Sequence, residues 1–213
     1  MIITSLVYLL SALVLITAFY VQGQRYIVSM IRGQFFQSIL IASISFLLAW
    51  LERSTDLVIL GILLIVLRGI IVTILLERRV PDRKHYIFED NVNVPYLFII
   101  DLIFIVVSVF IIYSLAFSSL VPDYSFLGSS DLLFPLLLFF QGIFLITSRK
   151  STITQVIGYI EEENSLVLFA LFLLPIPVII EASVFLDVLA LVIISVIVNK
   201  EKPVHEVMEA LRG

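Results

Sequence analysis

The feature that most constrains this chain is a series of apolar stretches, each long enough to cross a membrane. A helix needs about 20 apolar residues to span hydrocarbon roughly 30 Å thick. Of the 213 residues, 61% are hydrophobic and 14% are charged, and the mean hydropathy is +1.17. A soluble domain carries about 25% charged residues. The pattern therefore predicts an all-α, polytopic integral membrane protein that forms one membrane domain over 1–213.

Breaks in the apolar pattern divide the chain into about seven predicted transmembrane helices. The breaks are polar or rich in turn residues such as proline, glycine and serine. The predicted spans are 2–21, 34–51, 56–76, 96–117, 132–147, 155–174 and 177–198. Gln34, Gln37 and three serines dilute the second span. The first span lacks a basic leader and a small-residue cleavage site, so we expect a retained helix rather than a signal peptide.

Basic residues alternate between the connections in a way that predicts the orientation. Eleven Lys and Arg residues lie in the first, third and fifth connections or in the C-terminal tail, whereas only Arg53 lies on the opposite side. Cytoplasmic loops are enriched in Lys and Arg. We therefore expect the N-terminus outside and the C-terminus in the cytoplasm. The spans divide into an N-terminal three-helix half with its loop (1–95), a fourth helix with a connector (96–131) and a C-terminal three-helix unit with a tail (132–213).

Several ionisable side chains fall inside the predicted spans. A charge that faces lipid costs on the order of 3 kcal/mol at the centre of the bilayer, so such residues normally face protein or water and are candidates for function. They are Arg68, Asp101, Glu161, Glu162, Glu163, Glu181 and Asp187. Buried carboxyl groups hold protons near neutral pH more readily than exposed ones. The pattern therefore indicates an ion pathway, with Glu163, Glu181 and Asp187 as its protonatable stations.

Some of these residues have a structural interpretation as well. Arg68 and Asp101 form either a buried ion pair or part of a relay. Glu161 and Glu162 are interpreted as charges at the membrane edge or as subunit contacts, because three consecutive glutamates fan over about 200° of a helix. Asn164 is an additional candidate, since its amide could orient the neighbouring carboxylate.

Composition argues against several other kinds of site. The chain has no cysteine and only two histidines, His85 and His205, both in polar segments. Iron–sulfur ligation by thiolates is therefore excluded, and a haem or zinc site is poorly supported. No glycine-rich phosphate loop is present, and the last span offers only Lys200, at its cytoplasmic end, for a retinal Schiff base. We expect no catalytic residue, no metal site and no nucleic-acid partner in this chain.

The C-terminal third carries three paired features: Ser148–Arg149, Gly158–Tyr159 and Glu163–Asn164, followed by Glu181 and Asp187 six residues apart. This pattern resembles hydrogenase-4 component E, a membrane subunit of energy-converting [NiFe] hydrogenases and of formate hydrogenlyase relatives. Arg68 stands where that family has a basic residue. The resemblance extends over nearly the whole chain and is most specific after Arg149.

The unit 132–213 is also similar to the K subunit of respiratory complex I and to the C subunit of Mrp antiporters. Those three-helix proteins have a glutamate two positions after a glycine, where this chain has Ile160. Glu163 lies one helical turn deeper, which puts a direct transfer of roles in doubt. Glu161 and Glu162 are not part of the hydrogenase-4 pattern.

The resemblance implies a non-catalytic subunit that contributes to proton or sodium translocation coupled to electron transfer, in the cell membrane of a prokaryote. It implies membrane partners similar to antiporters and to the H subunit of complex I. It also implies peripheral hydrogenase-like and iron–sulfur partners that carry the [NiFe] centre and the clusters. Membrane lipids are the other expected partner. A structural spacer in the same complex is the alternative, followed by an independent secondary transporter.

Overall fold

The computed structural model describes residues 2–78, 80, 93–117 and 132–173, and the regular structure of this part is helical. The helices are α1 (Ile2–Gly23), α2 (Ile27–Glu52), α3 (Thr55–Leu63), a π-helical segment (Leu64–Val72), α4 (Thr73–Glu77), α5 (Val94–Phe117), α6 (Leu133–Ser148) and α7 (Thr152–Leu173). The elements α3, π and α4 are continuous and form one third helix, Thr55–Glu77.

Four of these helices are long and apolar enough to cross a membrane. They are Ile3–Gly23, Ile27–Glu52, Thr55–Glu77 and Val94–Ser114. The apolar helix α6 has 16 residues, and α7 has 22 residues that include the three glutamates. For the described residues, the prediction of a helical protein with helices long and apolar enough to cross a membrane is therefore confirmed. The predicted seventh span, 177–198, lies outside the described residues, and the count of seven and the orientation stay predictions.

The second helix is longer than its predicted span, 34–51. Helix α2 begins at Ile27 and follows α1 after a break of only three residues, 24–26. Arg32 therefore lies within α2, on its exposed surface, rather than in a connection. The polar side chains that had suggested a weak helix, Gln34 and Gln37, point into the protein, where they are almost completely buried. The sixth predicted span likewise begins earlier than expected, at Thr152 instead of 155.

Helix α2 lies at the centre of the bundle and packs against α1, the third helix and α7, while α6 pairs closely with α7. Without a hydrophobic force between helices in lipid, close packing of small residues and polar bonds across helices hold a bundle together. Gly142 of α6 and Gly158 of α7 provide such a contact: a Cβ atom at either position would lie 3.0 Å from the carbonyl oxygen of the other glycine. The Ser165 hydroxyl donates to the Pro135 carbonyl at 2.9 Å, which adds a polar bond between the same two helices.

Arg149 fixes the turn between α6 and α7 to the end of α1. Its guanidinium donates to the backbone carbonyls of Gln22 and Gln24, and its side chain is almost fully buried. Gln155 donates in turn to the Arg149 carbonyl at 2.9 Å. Arg149 was counted among the cytoplasmic loop charges, but here it satisfies carbonyls that the end of α1 leaves without helical partners. Its role in this structure is therefore to hold two helical hairpins together.

Candidate polar layer

A layer of buried polar side chains separates the two apolar clusters of the core. The first cluster includes Ile41, Leu64, Leu138 and Val167, and the second includes Ile31, Val72, Leu145 and Ile160. On α2, the third helix, α6 and α7, the polar residues lie between a residue of the first cluster and a residue of the second cluster. They are Gln34, Gln37, Ser38, Arg68, Gln141, Glu161, Glu163, Asn164 and Ser165, each at most 2% exposed. We call this set the polar layer.

Arg68 and Glu163 form the charged pair of this layer. Arg68 Nη2 lies 3.7 Å from Glu163 Oε2, and both side chains are 2% exposed. The distance is within ion-pair range but longer than a hydrogen bond. Burial makes such a pair costly to form and costlier to break, because removal of one partner leaves an uncompensated charge. With a rise of 1.5 Å per residue, Glu163 lies about 16 Å from the beginning of α7, near the middle of the helix.

Asn164 connects the charged pair to α2. Its Oδ1 accepts a 2.9 Å hydrogen bond from Arg68 Nη1, and its Nδ2 donates to Gln37 Oε1 at 2.8 Å. A longer contact of 3.5 Å joins the same Nδ2 to Gln34 Oε1. Gln34 donates to the Ser38 hydroxyl at 3.3 Å, which extends the network along α2. The amide of Asn164 thus bridges three helices through Arg68 and the glutamines of α2, and the expected orientation of the neighbouring carboxylate by Asn164 stays a prediction.

The backbone around Arg68 departs from an ordinary helix. Leu64–Val72 is π-helical, so each turn is wider than in the α-helical segments before and after it. π-Helical turns are rare and occur frequently at functional sites. The departure is centred on Arg68, the residue whose side chain enters the polar layer.

The three glutamates have three different environments. Glu163 pairs with Arg68, and Glu162 is only half-buried. Glu161 is 2% exposed, and its Oε1 atom has no hydrogen-bond partner within the described residues. The interpretation of Glu162 as an edge charge or subunit contact is compatible with its position. The same interpretation of Glu161 is wrong, because Glu161 lies in the third turn of α7, which begins at Thr152, and its side chain is buried in the bundle.

Arg68 and Asp101 do not form the ion pair that was considered for them. Arg68 contacts residues of α7, whereas Asp101 lies on α5, whose neighbours are α1 and α6. Asp101 is 1% exposed, and neither of its carboxyl oxygens has a hydrogen-bond partner in the described part of the chain. It is therefore a second buried acid, separate from the Arg68–Glu163 pair.

Five residues of the polar layer are not among the candidates that the sequence predicts: Gln34, Gln37, Ser38, Gln141 and Ser165. For the residues of α2, the sequence contains a signal of a buried polar face, because glutamines and serines recur in a helix that is otherwise apolar. They were interpreted as weakening the span rather than as a polar face within it. The remaining predicted stations, Glu181 and Asp187, lie outside the described residues.

The described residues contain no group of three or more His, Cys, Asp or Glu side chains that could hold a metal ion. Both histidines of the chain lie outside this part. The described part of the chain therefore offers no ligand set for a metal centre. Comparison of the chain with known proteins finds no matching family model, no matching curated protein and no matching solved structure.

Proposed function

We propose that this chain is a non-catalytic, ion-coupling membrane subunit of a complex I-like energy-converting hydrogenase or a related oxidoreductase. In this proposal the chain crosses the cytoplasmic membrane of a prokaryote seven times, with its N-terminus outside. Proteins similar to antiporters and to the H subunit of complex I flank it in the membrane. Peripheral hydrogenase-like and iron–sulfur proteins carry the [NiFe] centre and the clusters.

One observation supports the proposal most directly: the pair of opposite charges, Arg68 and Glu163, is buried between apolar clusters in the middle of apolar helices. Ionisable residues at membrane depth are costly and typically mark ion pathways. A cation close to a carboxylate favours its ionised form, and withdrawal of the cation favours proton uptake. Movement of Arg68 relative to Glu163 is therefore a physical means by which a distant redox event could drive proton uptake and release.

The second candidate function is a structural spacer that seals lipid between larger subunits. The exposed surface of α5 favours it, since this helix presents a row of large apolar side chains and is the least buried of the four long helices. The two functions make different predictions for the polar layer. A spacer tolerates neutral replacements of the buried acids, whereas an ion-coupling subunit does not.

Purification of the tagged, full-length chain from native membranes in a mild detergent tests the assembly. Mass spectrometry should identify hydrogenase-like large and small subunits together with antiporter-like membrane proteins in stoichiometric amounts. A tagged form of an unrelated polytopic protein from the same membranes is the control for non-specific capture. Recovery of the chain alone, folded and competent for transport in vesicles, would contradict the subunit assignment and favour an independent transporter.

A further inference from the structure

An open cavity of about 330 Å³ lies at the turn between α2 and the third helix. Sites for small molecules typically have volumes of about 300 to 1,000 Å³. Both helices are long and apolar enough to cross a membrane, and the turn joins the end of α2 to the beginning of the third helix. The cavity therefore lies where the lipid headgroups of a membrane meet water.

Arg53 occupies this turn in an unusual backbone conformation. Its φ of 50° and ψ of 38° are left-handed, and within the described residues it alone combines a positive φ with a side chain. Many helices end at a left-handed residue, but glycine or asparagine usually fills that position because a Cβ atom is unfavourable there. The turn geometry therefore does not explain the choice of arginine, and the side chain itself calls for an explanation.

The polar end of the cavity is a set of hydrogen-bond donors. Arg53 lines the cavity, and its exposed side chain forms no salt bridge or hydrogen bond with the described residues. Ser54 and Thr55 line the same cavity, and the Ser54 side chain does not cap the third helix. The first backbone N–H groups of a helix also lack partners within it. An arginine, two hydroxyls and these N–H groups together suit the oxygens of a phosphate group.

The other end of the cavity is apolar. Phe46 and Val58 line it from the two helices, further from the turn than Arg53. Trp50, which also lines the cavity, is the single tryptophan of the chain and is 80% exposed. Tryptophan is enriched where a membrane meets water. The order of a polar turn, a tryptophan and apolar side chains matches the headgroup, the glycerol region and the acyl chains of a phospholipid.

The charges beside the cavity favour a zwitterionic lipid over an anionic one. Glu52 precedes Arg53, and Asp56 follows it by three residues, so the turn carries two carboxylates and one cation. Neither carboxylate forms a salt bridge with Arg53. A lipid with a net negative charge would meet an excess of like charge here. A primary ammonium group, by contrast, can donate hydrogen bonds to the carboxylates.

We propose that this cavity binds a zwitterionic phospholipid whose headgroup ends in a primary ammonium, as in phosphatidylethanolamine. The lipid phosphate accepts from Arg53 and the hydroxyls beside it, the ammonium faces Glu52 and Asp56, and the acyl chains begin beside Trp50. The site requires only that the two helices cross a membrane. It therefore goes beyond the proposed role in ion coupling and holds for any complex that contains the chain.

Trp50 fluorescence tests the proposal, because the chain has no other tryptophan. The purified full-length chain is placed in phosphatidylcholine nanodiscs that contain a small fraction of a lipid brominated close to its headgroup, since bromine quenches tryptophan on contact. At equal fractions, brominated phosphatidylethanolamine should quench about twofold or more beyond brominated phosphatidylcholine or phosphatidylglycerol. Equal quenching by the three lipids, or the strongest quenching by phosphatidylglycerol, would overturn the proposal. Quenching by none of them would also overturn it, in favour of a second copy of the chain that covers the cavity.

Arg53→Gly tests the phosphate contact without a threat to the fold, because glycine adopts a positive φ freely. This variant should lose the excess quenching by phosphatidylethanolamine, while its unfolding midpoint in lipid-free detergent equals or exceeds that of the wild type. Arg32→Gln, exposed near the other end of α2, is the control and should keep the lipid preference. An unchanged preference in Arg53→Gly would overturn the assignment of the phosphate to this turn.

A double variant and a soluble competitor test the remaining parts of the site. Glu52→Gln/Asp56→Asn should abolish the preference for phosphatidylethanolamine over phosphatidylglycerol, because it removes both carboxylates. A preference that persists would overturn the ammonium contact. Inorganic phosphate in excess, at constant ionic strength, should not reduce quenching by brominated phosphatidylethanolamine. Complete loss of that quenching would overturn a lipid site in favour of a site for free phosphate.

Discussion

Replacement of Arg68 by methionine should lower the free energy of unfolding by about 3–5 kcal/mol, because it leaves Glu163 as an uncompensated charge in a buried site. The side chains of both residues are 2% exposed, and Arg68 also donates to Asn164. An exposed ion pair would contribute only about 0–1 kcal/mol. The size of the loss therefore distinguishes a buried pair from a surface pair. Unfolding of the purified chain in mixed micelles with increasing denaturing detergent measures it.

The double variant Arg68→Met/Glu163→Leu should recover most of the stability that the single variant loses. Replacing both members of a buried ion pair by apolar residues of similar size is often neutral or stabilising. Arg32→Met is the matched control, since Arg32 is exposed on α2 and should change stability by less than about 1 kcal/mol. Additive losses in the double variant would contradict an energetic coupling between Arg68 and Glu163.

Replacement of Gly142 by alanine should separate α6 from α7 and destabilise the chain by about 1–3 kcal/mol or more. The added Cβ would lie 2.6 Å from the Glu162 nitrogen and 3.0 Å from the Gly158 carbonyl oxygen. Both are backbone atoms, so no side-chain rotation relieves the clash and the helices must move apart. Movement of α7 would also break the 2.8 Å bond from Asn164 to Gln37.

Gly69→Ala is the matched control for this prediction. A Cβ atom at position 69 meets only ordinary contacts, the nearest being the Leu64 carbonyl oxygen at 3.7 Å. We expect this variant to be as stable as the wild type or slightly more stable, because alanine restricts the unfolded chain. Detergent-unfolding midpoints of the two variants, measured side by side, make the comparison. Equal midpoints would contradict a close α6–α7 crossing at Gly142.

Within the described residues, hydropathy was sufficient to predict which segments are helical and which charges are buried, because lipid demands both long apolar helices and internally satisfied polar groups. Arg68, Asp101 and Glu163 were recognised on this ground, and all three are buried. Helix boundaries were less predictable. By hydropathy, Gln37 lowers the apolar character of the second span. In the folded protein, however, Gln37 accepts a hydrogen bond from Asn164.

The pairing of the charges was not predictable from the sequence. Depth along a helix can be estimated from the rise per residue, and on depth alone Arg68 could pair with Asp101. Rotation about the helix axis and the choice of neighbour depend on contacts far apart in the chain, such as Gly142 with Gly158. In the structure Arg68 contacts α7, whereas Asp101 lies on α5, which packs against α1 and α6. The buried position of Glu161 follows from the same packing.

The most direct test of ion coupling compares Glu163→Gln with Glu162→Gln in native membranes, by measuring ions moved per redox turnover. Glutamine keeps the shape of the side chain and removes the proton-binding carboxylate. Glu162 is the adjacent, half-buried residue of the same helix and serves as the control. The account predicts that Glu163→Gln abolishes or strongly lowers the ratio of ions to turnovers while Glu162→Gln preserves it. An unchanged ratio in Glu163→Gln, with the complex intact, would contradict a role in ion coupling and favour the structural spacer.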